Sequence, residues 1–98
     1  LKSFKRWGAE IRPIIEDHSV FFWRTIRGGA LLYTHQAMPE IHEPDRALQI
    51  KPGHFLVAMA SDWDEATSQP SGSNLLSAFV TVKEVPTGSD NLLLLQRK

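Results

Sequence analysis

Residues 19–35 read SVFFWRTIRGGALLYTH. Two runs rich in β-branched and aromatic residues flank Gly28-Gly29. A tight hairpin turn needs positive φ at its centre, and glycine adopts it without a Cβ clash. The stretch therefore predicts a β-hairpin. With a two-residue turn, Phe22, Arg24, Ile26, Leu31, Tyr33 and His35 share one face. Phe21, Trp23, Thr25, Leu32 and Thr34 share the other. Both faces carry large apolar groups, so at least part of the hairpin is expected to be covered on both sides.

Three further segments extend this antiparallel pattern. HFLVAMAS (54–61) reads as a buried strand, apolar on both faces. LLSAFVTVKEV (75–85) reads as a strand with Leu76, Ala78, Val80 and Val82 on its apolar side. NLLLLQR (91–97) reads as a last strand, antiparallel to the one before it and a candidate sheet edge. Before the hairpin, SFKRWGAEIRPIIEDH (3–18) places Phe4, Trp7, Ile11, Ile14 and Ile15 at spacings of three and four. That is one helical face. Ser3 is a suitable N-cap, and Pro13 predicts an end or kink after about residue 12.

Connections are punctuated by proline and glycine. Pro44 suits the first position of a short helical turn over 43–48. Lys51-Pro52-Gly53-His54 fits a type II turn. Residues 62–74, DWDEATSQPSGSN, read as a long polar loop. The expected architecture is α+β: an N-terminal helix packed on a small, mostly antiparallel, curled or barrel-like sheet of about five strands.

Composition narrows the function classes. The chain has 98 residues, 42% hydrophobic and 22% charged, with formal net charge zero. These values predict one globular domain over residues 1–98. The first residue is Leu1, consistent with a domain cut from a longer protein. Zero net charge gives no global electrostatic case for nucleic acid or an anionic membrane. The N-terminal quarter is nevertheless basic (Lys2, Lys5, Arg6, Arg12, Arg24, Arg27), and residues 40–65 are acidic. The absence of cysteine excludes disulfides, thiolate nucleophiles and zinc–thiolate sites, and fits an intracellular, reducing compartment. No apolar run reaches the roughly 18 residues of a spanning helix.

Two residue sets carry candidate chemistry. Residues 35–45, HQAMPEIHEPD, hold histidines and carboxylates of ligand type. His35, Glu40 and His42, joined by His54 from the next strand, are the candidate metal ligands. Such a site requires their N and O atoms to converge at roughly 2.0–2.2 Å from one ion. The second set is aromatic. Trp7, Trp23, Phe22, Tyr33 and Trp63 are candidate stacking residues, and Arg6, Arg12, Arg24 and Arg27 candidate phosphate ligands, for RNA or a cap-like nucleotide. Glu10 or Asp64 would accept from a guanine edge. That reading requires two accessible aromatics facing each other about 7 Å apart.

Asp62, Asp64 and Glu65 lack the glycine and glutamate of a calcium loop. No nucleophile motif, phosphate loop or dinucleotide fingerprint is present, and no cofactor is called for. The primary expectation is a non-catalytic binding or assembly domain that meets a protein partner or the rest of a larger chain. RNA or nucleotide recognition is the first alternative, and a metal-binding enzyme or sensor the second.

Overall fold

The computed structural model describes the backbone of residues 2–24, 39–88 and 90–98, with side chains from residue 9 onward in those ranges. Its elements, in order, are α1 (Lys2–Ile15), β1 (Val20–Trp23), β2 (Glu40–Ile41), α2 (Pro44–Leu48), β3 (Phe55–Met59), α3 (Ala60–Ser68), a 3₁₀ turn (Pro70–Gly72), α4 (Ser73–Ala78), β4 (Phe79–Pro86) and β5 (Asn91–Arg97). The five strands form one sheet in the order β2-β1-β3-β5-β4.

The helices and the five-stranded sheet match the expected α+β composition, but the sheet is mixed and open. β1 pairs in parallel with both β2 and β3, whereas β3–β5 and β5–β4 are antiparallel. The expectation of a mostly antiparallel barrel is thus corrected. The reason lies in β1. Val20, Phe22 and Trp23 are all buried, and a strand apolar on both faces suits the interior of a parallel region. The second arm of the expected hairpin and Gly28-Gly29 lie outside the described residues.

Period-two alternation assigns the core to two layers. On one face Val20, Phe22, Phe55, Val57, Val85, Leu92 and Leu94 cluster with Ile11 and Ile15 from the end of α1. On the other, Trp23, Leu56, Ala58, Phe79, Leu93 and Leu95 cluster with residues from α2, α3 and α4. β5 contributes two leucines to each layer and lies between β3 and β4. It is therefore an inner strand and not the edge. Each fully buried leucine stabilises by roughly 1.5–3 kcal/mol relative to an exposed one.

The polar stretch 62–74 is not a loop: apart from the extended Gln69 it is helical, as the rest of α3, the 3₁₀ turn and the start of α4. Trp63 and Ala66 sit three apart on the buried side of α3, and Leu75 and Ala78 do so on α4. The helix extends to Ala78, so β4 starts at Phe79. The expected apolar face of Leu76, Ala78, Val80 and Val82 does not form. Leu76 (61%), Val80 (45%) and Val82 (39%) are exposed, while Ala78 is buried. A register shift between Thr81 and Lys83 breaks the alternation in β4.

Other local expectations fare better. Pro44 stands at the start of α2. Gly53 has φ +90°, and the His54 N–H donates to the Lys51 carbonyl at 3.1 Å. That is the hydrogen-bonded turn the Pro-Gly pair predicts. α1 runs through Pro13 to Ile15, further than expected. Glu16 then takes φ +48° and closes the helix, its N–H donating to Arg12 O at 3.1 Å.

Candidate functional site

The aromatic candidates that are described belong to the core. Trp23 (1% exposed) and Phe22 (7%) point to opposite faces of the sheet. Trp63 (5%) meets Trp23 edge to face at 5.9 Å between ring centroids, and Phe79 likewise at 5.7 Å. Such geometry is how aromatic rings pack against one another inside a protein. These three rings offer no facing pair to a base. The side chain of Trp7 and the whole of Tyr33 lie outside the described residues.

Among the arginine candidates, Arg24 is turned toward α3. It ends β1 at φ +62°, and its N–H donates to the Ile41 carbonyl at 2.8 Å. Its guanidinium lies 3.6 Å from Asp62, 3.7 Å from Glu65 and 5.8 Å from the Trp23 ring centroid. Arg24 is thus paired with two carboxylates of α3 instead of presenting a free cation. Arg12 is exposed on α1. The Arg6 side chain and Arg27 fall outside the described set. Glu10 is half-exposed on α1, and Asp64 is exposed on α3.

The histidine–carboxylate candidates do not converge. Glu40 Oε1 and His42 Nε2 are 3.4 Å apart beside β2. His54 opens β3, on the far side of β1, so two strand spacings of about 4.8 Å separate the two strands. His54 Nδ1 already accepts the Ser19 N–H at 2.8 Å. Among the described residues no three histidine, cysteine or carboxylate groups stand where one metal ion would bring them together. His35 lies outside the described residues.

Two features escaped the sequence reading. The first is an exchange between the β4–β5 turn and α3. Asp90 accepts the Ser61 N–H (3.3 Å) and the Ser61 hydroxyl (2.5 Å), 29 residues away. It also accepts the N–H of Asn91 at 2.8 Å. The Ser61 hydroxyl, followed by the Asn91 N–H, holds the Asp90 carboxyl below its ordinary pKa of 3.8. A carboxylate at the positive end of a helix gains from the dipole as well.

The second feature is an open cleft between the start of β1 and the segment that follows α2. Ser19, Phe21, Gln49, Ile50, Lys51 and His54 line it, and it encloses about 350 Å³. It borders a second hollow that reaches Glu40 and Arg46. Only the Lys51-Pro52-Gly53-His54 turn hinted at it in the sequence, by bringing the chain back at that point.

No protein-family model, curated protein or solved structure matches this chain. Among the described residues no helix is long and apolar enough to cross a membrane.

Proposed function

We propose that the chain is a non-catalytic binding or assembly domain, working in a reducing intracellular compartment, whose partner surface is β4. The observation that carries this reading is the exposure of Val80 and Val82 on β4, one of the two outer strands of the described sheet, with Leu76 exposed on the helix just before it. Three large aliphatic side chains within seven residues hold no place in either apolar layer. An outer strand also has one row of backbone N–H and C=O groups available to a partner strand. Lys83 and the irregularity at Thr81–Lys83 limit indiscriminate pairing, as charges and bulges do on protected edges.

The core role of Trp23, Phe22 and Trp63 weighs against the nucleotide reading at those positions. The separation of His54 from Glu40 and His42 weighs against the metal reading. The test is a Val80→Asp, Val82→Asp double variant. Both positions are exposed, so the melting temperature should stay close to the parent's. Affinity purification of parent and variant from the source cells should then show one stoichiometric protein partner lost from the variant. The same partner at the same yield on both proteins would refute the β4 surface.

A further inference from the structure

The cleft beside β1 has a chemistry that the β4 surface does not use. Its floor is apolar. Phe21, on the α2–α4 side of the sheet, is half-buried and leaves part of its ring uncovered, and Ile50 beside it is buried. The rim consists of Ser19, Gln49, Lys51 and His54. Among the described residues no carboxylate lines this cleft.

Each rim side chain can donate a hydrogen bond. Lys51 carries three donors and no acceptor. Among the described residues its ammonium makes no ion pair or hydrogen bond. Ser19 offers a hydroxyl and Gln49 an amide. For His54 the tautomer follows from its neighbour. The Ser19 backbone N–H is an obligatory donor, so the Nδ1 it reaches at 2.8 Å must be the unprotonated nitrogen. The ring proton therefore sits on Nε2, which is a donor. The same bond, and an edge-to-face contact with His18 at 5.7 Å, hold the imidazole in place.

A rim whose described side chains are all donors, over an aromatic and aliphatic floor, is complementary to an acceptor-rich anion with a flat apolar body. The volume of about 350 Å³ is at the low end for ligand pockets and has room for one ring system and one anionic group. We propose that this cleft binds a small aromatic anion. Its ring lies on Phe21 and Ile50, and its phosphate or carboxylate faces Lys51 and His54. The site is independent of β4, and either can exist without the other.

The test is an amide chemical-shift titration of the whole chain with guanosine 5′-monophosphate, adenosine 5′-monophosphate, indole-3-carboxylate, guanosine and inorganic phosphate. The expected result is saturable shifts at Phe21, Ile50, Lys51 and His54 for at least one aromatic anion. Guanosine and inorganic phosphate should bind about tenfold more weakly or worse, because each supplies half of the contact. Response to the nucleotides alone assigns a phosphate, and response to the carboxylate alone assigns a carboxylate. Lys51 is exposed, so K51A should melt with the parent yet lose about tenfold in affinity. The proposal is overturned if no aromatic anion shifts these residues at millimolar concentration. It is equally overturned if inorganic phosphate binds as well as the nucleotides, or if K51A binds like the parent.

Discussion

Removal of the Asp90 carboxylate tests whether α3 is held from outside its own sequence. The residue before α3 is Met59, which supplies no capping side chain. Asp90 fills that role from the β4–β5 turn, accepting the Ser61 N–H and hydroxyl. Loss of an N-terminal cap costs about 0.5–2 kcal/mol, typically ~1. Asp90 is half-exposed and water can replace part of what is lost, so the middle of that range is expected. For a domain of this size 1 kcal/mol corresponds to a fall of about 4–8 °C in melting temperature. Asp90→Ala should show it in thermal unfolding followed by circular dichroism at pH 7.

Asp90→Asn keeps an oxygen acceptor and loses the charge, so it should fall between parent and alanine variant. Their pH dependence is fixed in sign. The folded-state pKa of Asp90 lies below the ordinary 3.8, so folding favours the charged form. The stability this supplies is fully present above about pH 3.8 and is lost as pH falls through the lower folded value. The parent's advantage over Asp90→Asn should thus persist from pH 7 down to about pH 4 and close below it. Asp90→Ala melting with the parent at pH 7 would refute the external cap. A parent-to-Asn difference unchanged in strong acid would refute the role of the charge.

Three further variants probe other contacts. A Cβ at Gly72 would lie 1.9 Å from the Ala66 carbonyl oxygen, against backbone that cannot swing away. Gly72→Ala should therefore cost about 1–3 kcal/mol or more, read as a lowered urea midpoint. Arg97 donates to the Leu48 carbonyl at 3.4 Å and the Ala78 carbonyl at 3.3 Å, tying the ends of α2 and α4 to β5. Arg97→Met should lose about 1.5–3 kcal/mol in the same assay. Arg24 pairs with Asp62 and Glu65 at a third of full exposure, so neutralising both acids should cost only about 0.2–1 kcal/mol by chemical denaturation.

The strands with strong local signals were legible from the sequence, and their partners were not. β3 and β5 are runs of apolar residues whose alternation feeds both layers, and β5 spans the residues expected although it is not the edge. Pairing is a long-range property. β1 looks like a hairpin arm because of Gly28-Gly29 downstream, but its register is set by contact with Phe55, Leu56 and Val57. α3 was missed because its buried stripe is only Trp63 and Ala66 and its cap is Asp90. No reading confined to residues 60–74 holds either the sheet that covers Trp63 or the carboxylate that caps Ser61.

The candidate sites divide in a similar way. Residue type made Trp23, Phe22 and Trp63 look like stacking platforms, and burial made them core. His42 and Glu40 are neighbours because they are two apart in the chain. His54 is held elsewhere because β1 intervenes. The cleft of Phe21, Lys51 and His54 joins residues from three segments, none of which carries a motif by itself.

Photo-crosslinking from β4 tests the proposed partner surface most directly. A benzophenone side chain at position 80 is compared with one at exposed Gln69, beyond the end of α3, in the source cells. A single protein partner crosslinked from position 80 and absent from position 69 is the expected result. The same diffuse set of products from both positions would contradict a partner surface on β4.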